Sequence, residues 1–403
     1  MWKYLISAAL LCLFLGHVLT EDDSSTLPHQ RELVYLQILT TNGFYAPLSL
    51  YPNDENTEED WPEGMGLLPK LGKLQQYEMG KYLRNRYSDF ITSDPGEVDA
   101  FSSFEDRATI SLLSFLASLY APTEEWQFMP GFKWQPMVLC YMEKHDIFFR
   151  YKDSCKRLIE ERDKILHSPL VKDLVQKDAF LYEFWTENSG MLVEDWLDVA
   201  KLYDVIDKEL KAGLKVPRWA RTYLADMKRI TDYAFTWIYN TATSLQLKVG
   251  PLIDLITVRM QVKMMPDDPS EGIKVSVYVT HDWNLAGVLS AMRLSNGVRP
   301  PPCSTITFEM YKQGEDLTVR TLFFNATHPE MGADQEPHPL VLDGCTEYCP
   351  LSSFVDFFKD VIPENHKELC GETLISVENL DEDVILLPMY NDMKAILLSR
   401  PPP

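Results

Sequence analysis

The sequence predicts an α/β fold, in which a central, mostly parallel β-sheet is flanked by helices and carries an inserted helical cap subdomain. An almost unbroken apolar run over residues 33–39 suits a strand that is buried on both faces. A second apolar strand covers residues 274–280, far along the chain. Between roughly Trp126 and Met265 the pattern is helical, without a strong strand signal. The sheet is therefore expected to form from both ends of the chain, around a helical insertion.

This organisation divides the chain into four parts. The α/β domain is expected to comprise residues 30–125 and 266–370, and the helical cap residues 126–265. A C-terminal tail covers residues 371–403, and residues 1–20 precede the folded part. Because no linker is rich in Gly, Pro or Ser, independent domains are not expected.

Local patterns predict the individual elements. The first strand ends at Asn42-Gly43, and apolar residues at helical spacing predict a helix from Gly72 to Tyr87. Ser103, three residues before Asp106, is a candidate capping box for the next helix. The later elements are helices at 157–166, 192–203 and 220–247, a helix from Trp283 to Arg293, and antiparallel strands at 305–311 and 317–324.

The N-terminus has the pattern of a signal peptide. Lys3 precedes an apolar run from Tyr4 to Val18, and acidic residues follow Thr20. The alternative, a membrane anchor, is disfavoured because the run is shorter than the roughly 20 residues that cross a bilayer. The mature protein is therefore expected without a transmembrane anchor, either secreted or in the lumen of the secretory and lysosomal pathway.

The net charge restricts the kind of partner. There are 38 Lys and Arg against 60 Asp and Glu, which gives a net charge of -22. A field of this sign repels phosphates, so binding to nucleic acid is not expected.

Cysteine usage agrees with the secretory pathway. Of 7 cysteines, Cys12 leaves with the signal peptide, and the even remainder favours disulfides. Cys345 and Cys349 predict a small-loop disulfide; half a zinc site is the alternative, but no complementary His or Cys pair exists, so no metal is expected. Asn325, followed by Ala and Thr327, is a candidate glycosylation site.

Two segments are placed where a ligand crevice would form. The sequence has no Gly-x-Ser-x-Gly elbow, no phosphate loop with the required spacing and no His-Glu-x-x-His helix. Residues 41–47 and 280–282 instead each follow a predicted parallel strand. Open α/β sheets bind ligands at the carboxyl ends of such strands.

From about Glu32 to Cys370 the sequence resembles the histidine acid phosphatases, specifically the branch of the prostatic and lysosomal enzymes. The matching segments occur in order and at the expected separations, and they are 61–66, 71–72, 76–80, 83–87, 105–107, 281–282 and 344–351. The resemblance implies a histidine phosphatase-like fold and no cofactor.

The catalytic signature of that family, Arg-His-Gly-x-Arg-x-Pro, is degraded here. Gly43 and Pro47 are kept, but Asn42 stands at the position of the nucleophilic His. An Asn carboxamide cannot take up and release a phosphoryl group as imidazole does, because its nitrogen lone pair is delocalised. Thr41 and Tyr45 stand at the positions of two phosphate-binding Arg, so charged bidentate donors are lost as well.

Three family positions retain their residues. The resemblance implies that Arg107 and His281 bind phosphate and that Asp282 protonates the leaving group. Asp282 is equally explicable as the N-cap of the following helix. His281 and Arg107 could bind an anion, or they could persist as polar residues lining an empty cleft. The acidic loop from Asp54 to Asp60 follows the degraded motif and would oppose the entry of phosphate.

The resemblance also implies a disulfide framework. Cys155 should pair with Cys370, and Cys345 with Cys349. The third bridge of the family is replaced by Asp204 and Thr305. Cys140 and Cys303 are left over, either as a relocated bridge or as thiols.

Three functions follow as hypotheses. The first is a secreted or lumenal family member that is catalytically inactive and acts by binding a partner or ligand. The second is an acid phosphomonoesterase with residual activity. The third is a homodimer or heterodimer subunit that modulates an active relative.

Overall fold

The computed structural model describes residues 31–141, 155–266, 268, 270–371, 391 and 393–395. The expected signal peptide, residues 1–20, and nearly all of the tail from 372 onward lie outside these residues. In the described part of the chain, no helix is long and apolar enough to cross a membrane.

The central sheet confirms the predicted fold class. Its strands are β1 Glu32–Thr41, β2 Val98–Ser102, β3 Cys140–Tyr141, β4 Val275–Thr280, β5 Thr305–Gln313, β6 Asp316–Phe324, β7 Pro337–Pro339 and β8 Cys349–Pro350. They lie in the order β3-β2-β4-β1-β5-β6-β7, and β8 also pairs with β6. The strands from β3 to β1 are parallel. The pairings from β1 to β7 are antiparallel, including the predicted β5 and β6 pair.

The helices flank this sheet or form a separate layer. They are α1 Lys70–Arg86, α2 Asp106–Leu119, α3 Lys156–Leu166, α4 Pro169–Lys177, α5 Ala179–Ser189, α6 Trp196–Ala212, α7 Arg218–Thr222, α8 Leu224–Trp237, α9 Ala242–Lys248, α10 Gly250–Val262, α11 Asp282–Ala291, α12 Leu351–Phe357 and α13 His366–Cys370.

Burial on both faces explains the apolar character of β1. Leu36 and Ile38 pack against α1 and α2 on one face. Tyr35 and Leu39 pack against α10 and α11 on the other face. Alternate residues of a strand point to opposite faces, so a strand covered on both sides needs apolar residues at nearly every position.

The expected cap, residues 126–265, contains two segments that join the sheet. β3 pairs with β2 in parallel, with Phe101 opposite Cys140. α10 is buried nearly all round and packs on β1, where Gln37 Nε2 donates to the carbonyl of Ile256 at 2.9 Å. The sequence did not reveal β3, because a strand of two residues shows no hydrophobic periodicity. It did not separate α10 from the cap, because a helix in the core and a helix in a cap have the same hydrophobic period. Helices α5 to α8 pack around a core of their own, with Trp185 and Trp196 at its centre.

Both disulfides implied by the resemblance are present. Cys155 is bonded to Cys370, and Cys345 to Cys349. Cys140 and Cys303 are free thiols. They belong to the cores on opposite faces of the sheet, so they form no relocated bridge with each other.

The acidic loop after β1 is tied to α6 by two carboxyl groups. Asn56 Nδ2 donates to Glu209 Oε1 at 2.7 Å, and Glu209 is buried. Among the described residues, Asp54 Oδ2 and Glu209 Oε2 are buried without a hydrogen-bond partner. A proton on Glu209 that is shared with Asp54 would satisfy both oxygens, and we expect this arrangement. Burial and then the neighbouring Asp54 raise the pKa of Glu209 well above its ordinary value.

This carboxyl pair predicts a loss of stability with rising pH. Because the pKa of Glu209 is raised in the folded state, its contribution is complete below the ordinary carboxyl range and is lost as pH rises through the raised value. Glu209→Gln imitates the protonated form, so the variant should keep its melting temperature between pH 5 and 8 better than the parent. We expect a difference of about 2–4 °C at pH 8 in thermal unfolding followed by circular dichroism. The exposed Glu183→Gln is the control, and equal pH dependence in all three proteins would contradict the shared proton.

Candidate active site

The two segments singled out in the sequence meet at one edge of the sheet. β1 and β4 are adjacent and parallel, with Thr41 opposite Thr280. Residues 42–47 and His281-Asp282 therefore leave the sheet side by side. β2 ends next to β4, which brings Glu105 and Arg107 to the same edge.

Gly43 is required by a close approach of the backbone. A Cβ at this position would lie 2.4 Å from the carbonyl oxygen of Gly72 in α1. The amide of Gly43 donates to Ser111 Oγ of α2 at 3.1 Å. The loop therefore rests directly on the two helices, and the packing leaves no room for a side chain at this position.

Asn42 lies at the centre of the edge and contacts His281. It is 4% exposed, and its Nδ2 lies 3.3 Å from His281 Nδ1. Its Oδ1 is buried and has no hydrogen-bond partner among the described residues. Thr41 is also buried, and its hydroxyl donates to the carbonyl of Pro301 at 3.2 Å. Neither side chain supplies a nucleophile or a positive charge.

Glu105 contacts both His281 and Arg107, the two residues that the resemblance implies bind phosphate. Its Oε2 lies 3.4 Å from His281 Nε2, and its Oε1 lies 3.7 Å from Arg107 Nη2. Burial opposes ionisation of Glu105, but the hydrogen bonds from His281 and Ser103 and the charge of Arg107 hold its pKa far below the ordinary value. The carboxylate therefore stays charged and competes with any anion for His281 and Arg107.

Tyr45, at a position where the resemblance implies an Arg, places a neutral ring between two basic side chains. Lys208 Nζ lies 3.5 Å from the centre of the ring, and the Arg107 guanidinium carbon lies 5.2 Å from it. Burial, with Asp204 and Asp282 nearby, raises the pKa of Tyr45 well above its ordinary value, so the phenol stays protonated. Both cations lie at distances suited to cation–π contacts with this ring.

Arg299 holds Asp282, the expected proton donor. Its Nε donates to Asp282 Oδ2 at 2.7 Å, and its Nη2 donates to Asp204 Oδ1 at 2.8 Å. The other oxygen, Asp282 Oδ1, accepts from the amide of Trp283. Asp282 is not the N-cap of α11: it is the first helical residue, and His281 is the cap residue, without a side-chain capping bond. Both carboxylate oxygens of Asp282 already act as acceptors, which disfavours a proton-donor role.

Asp204 joins α6 to this network. Its Oδ2 accepts from Lys208 Nζ at 2.6 Å, one helical turn further on. Burial opposes its ionisation, but Lys208 and Arg299 lower the pKa of Asp204 to about 2. Burial lowers the pKa of Lys208 to about 8, against the raising effect of Asp204. Of the two positions at which the resemblance implies a lost disulfide bridge, Asp204 forms ion pairs, whereas the hydroxyl of Thr305 donates to Thr40 Oγ1 at 2.8 Å.

The cleft at this edge has a volume of about 290 Å³. Thr41, Asn42, Tyr45 and Asp282 line it, but Arg107 and His281 do not. The acidic loop at 54–60 does not line it either; the acids in the wall are Asp204, Asp207, Asp232 and Asp282. Asn325, the candidate glycosylation site, is exposed at the cleft.

The sequence alone did not identify Arg299, Lys208 or the compensating role of Glu105. The spacing of Asp204 and Lys208 at i and i+4 on a helix was a usable signal for their pairing. Arg299 gave none, because its partners are distant in sequence; Asp204 lies 95 residues away.

Comparison with known proteins identifies the family. The model of the histidine phosphatase superfamily (branch 2) matches residues 25–324. Prostatic acid phosphatase of Bos taurus is 29% identical, covering 85% of this chain and 88% of the relative. Lysosomal acid phosphatase of Homo sapiens is 29% identical, and the match covers 90% of this chain and 85% of the relative.

Solved structures agree on the fold. The phytase of Citrobacter braakii superposes with a TM-score of 0.65 at 16% identity, covering 84% of this chain and 99% of the phytase. The apo phytase of Hafnia alvei superposes with a TM-score of 0.61 at 15% identity, covering 86% of this chain and 99% of the phytase. At these identities the likeness supports the fold alone. With a family model matched over most of its length and the same architecture, the chain belongs to the histidine acid phosphatases, branch 2 of the histidine phosphatase superfamily.

Proposed function

We propose that this protein is a secreted or lumenal member of the family that is catalytically inactive and acts by binding a ligand or partner. The observation that carries the proposal is Asn42, which stands at the nucleophile position and contacts His281 instead of presenting a reactive nitrogen. The imidazole of His281, which lies next to Asn42 and outside the cleft lining, is held between Asn42 and Glu105.

The electrostatics support the same proposal. Phosphoryl transfer needs unpaired positive charge around the transferred group. Here Arg107 is compensated by Glu105, and Arg299 by Asp282 and Asp204. Removing one preorganised donor lowers turnover by about 10²- to 10³-fold, so these changes leave at most a trace of activity.

A binding titration tests the loss of the phosphate site. Calorimetric titration with vanadate or inorganic phosphate at pH 5 should give no affinity in the micromolar range, because an anion would have to displace Glu105 from its two partners. A protein with Glu105→Gln is the matched comparison and should bind more tightly by about tenfold or more. Micromolar binding by the parent would contradict the proposed compensation.

A regulatory dimer subunit is a second candidate, favoured by an exposed aromatic patch. The patch consists of Trp126, Phe128, Phe132 and Trp134, and Phe128 is 63% exposed. The rings of Phe128, Phe132 and Trp134 contact one another, with Phe128 and Phe132 centred 5.7 Å apart. The patch directly precedes β3, the end strand of the described sheet. Exposed apolar patches of this kind commonly mark protein interfaces.

Sedimentation velocity measures the oligomeric state and so tests whether the protein is a dimer subunit. The parent should sediment as a dimer, alone or with an active relative, and Phe128→Ser with Phe132→Ser should shift it toward the monomer. Leu170→Ser, an exposed apolar residue elsewhere, is the control. A parent that stays monomeric with and without the relative would exclude this candidate.

A further inference from the structure

Two carboxyl groups hold the acidic loop, residues 54–60, against α6. The side chain of Asn56 contacts both: its Nδ2 donates to Glu209 Oε1 at 2.7 Å and lies 3.4 Å from Asp54 Oδ1. The second oxygen of each carboxyl, Asp54 Oδ2 and Glu209 Oε2, is buried without a hydrogen-bond partner in the described part of the chain. Two ionised carboxylates here would repel each other and leave both buried oxygens unsatisfied. The proton expected on Glu209 removes both unfavourable effects.

The other titratable groups that face the pair favour this proton. Tyr51 is buried beneath the loop, and its phenol stays protonated because burial, with Asp54 and Glu209 nearby, raises its pKa. Asp60 adds a further negative charge, which favours the neutral form of Glu209. A phenol and a carboxylate leave the carboxyl pair without a compensating positive charge.

The remaining contacts of the loop lie closer to solvent. Lys215 pairs with Glu55, and both side chains are exposed, so solvent screens this ion pair. The carbonyl of Lys215 also accepts from Asn56 Nδ2 at 2.8 Å. Asp60 accepts from the amide of Thr57 within the loop itself. Asn56 is the one buried residue of the loop, so the attachment of the loop depends on the carboxyl pair that Asn56 contacts.

The acidic loop leads directly to the wall of the cleft. Trp61 follows the loop, is 4% exposed and packs with Phe44 and Ala46. Phe44 lines the cleft, and so does Lys208, the neighbour of Glu209 on α6. A loop that leaves α6 therefore weakens the packing behind the Phe44 side of the cleft.

We propose that the acidic loop is a pH-sensitive latch, which is closed on α6 in acidic surroundings and opens near neutral pH, so that the Phe44 wall of the cleft loosens. Closing takes up one proton, because the buried pair needs it and two solvated carboxylates do not. The latch is independent of catalysis, since it operates whether or not the cleft turns over phosphate. It makes the shape of the cleft depend on the acidity of the compartment.

The direction of the pH dependence follows from the proton. Burial raises the pKa of Glu209 to about 8, and Asp54 and Asp60 add to the shift against the hydrogen bond of Asn56. In the open loop the pKa of Glu209 returns toward the ordinary carboxyl value of roughly 4.3. Between these two values opening releases one proton, so the opening equilibrium grows by up to about tenfold per pH unit. The latch is fully closed below the ordinary carboxyl range and is lost as pH rises through the raised value.

Native-state hydrogen exchange of the full-length protein, followed by mass spectrometry, tests the latch. After correction for the intrinsic effect of pH, amide protection in residues 54–61 should fall by about tenfold or more between pH 5.5 and 7.5. Protection of the buried helix α10 should change little. The amides of Phe44 and Ala46, which are hydrogen-bonded, should lose protection over the same range as the loop.

Two outcomes of this measurement would contradict the proposal. Loop protection that does not depend on pH would overturn the latch, and it is the result expected if a cation or a water molecule joins two charged carboxylates. Loop opening without any change at Phe44 and Ala46 would overturn the link to the cleft. Both outcomes can be read from the unmodified protein.

Two variants of matched shape replace the proton by an amide group. Glu209→Gln and Asp54→Asn each leave one carboxylate of the pair and supply an N–H donor to it. Each should keep the loop protected up to pH 8. Glu59→Gln removes the same charge at an exposed position in the same loop and should retain the pH dependence of the parent. A fall in protection of equal size in the parent and both variants of the pair would assign the effect to the net charge of the loop and overturn the latch.

Discussion

The triple variant Thr41→Arg, Asn42→His and Tyr45→Arg is expected to hydrolyse p-nitrophenyl phosphate at a measurable rate, well below that of a natural acid phosphatase. Gly43 still sets the loop on α1, and the loop remains beside His281, so the restored groups would stand at the correct edge of the sheet. Positional errors of about 1 Å can lower a rate by around a hundredfold, which is why rescue should be partial.

Two further changes should raise the rescued rate. Glu105→Gln frees His281 and Arg107 from their carboxylate, and Arg299→Met frees Asp282. Each should increase turnover by about tenfold or more in the triple variant, because each exposes a group that the chemistry uses. Neither should create activity in the parent if, as proposed, Asn42 cannot serve as the nucleophile.

The role of Asp282 in the rescued protein can be separated by the leaving group. Asp282→Asn should lower the rate for alkyl phosphates more than for p-nitrophenyl phosphate, since poor leaving groups need a proton from a general acid. If the triple variant folds, as judged by circular dichroism and secretion, but has no activity above the parent, the cleft has been rebuilt and His281 and Asp282 are structural.

Arg299→Met in the parent should lower the free energy of unfolding by about 3 kcal/mol. The substitution leaves Asp282 and Asp204 without their shared cation, and the three side chains are only 16–21% exposed. Urea unfolding followed by fluorescence measures the effect. The free energy of unfolding of Arg299→Lys should lie between those of the parent and Arg299→Met, because Lys keeps the charge but loses the paired donors of the guanidinium. The exposed Arg218→Met is the control, and an equal effect in both Met variants would contradict a structural role for the Arg299 network.

The central strands of the sheet could be predicted because a strand that is buried on both faces appears in the sequence as a continuous apolar run. β1 and β4 are nearly continuous apolar runs, and their order in the sheet brings residues 42–47 beside His281. The helix after β2 was expected to be capped by Ser103. In the structure Glu105 is the cap residue, without a side-chain capping bond, while Ser103 Oγ lies 3.5 Å from His281 Nε2. Tertiary contact has overridden the local signal.

The electrostatics of the site could not be predicted, because pairing depends on distance in space. Glu105 meets His281 across two strands, and Arg299 meets Asp204 across the boundary between two cores. Single residues of this kind have no periodicity or spacing to read. The Asn at position 42 was visible in the sequence, whereas the contacts of Glu105 with His281 and Arg107 were visible only in the structure.

The most direct test of catalytic inactivity is the turnover of p-nitrophenyl phosphate near pH 5 by the purified full-length protein. The triple variant is assayed beside it in the same preparation, so that an inactive parent is not confused with a failed assay. We expect the parent to show at most a trace of activity and the triple variant to exceed it. A parent that turns over at a rate comparable to an ordinary acid phosphatase would contradict catalytic inactivity.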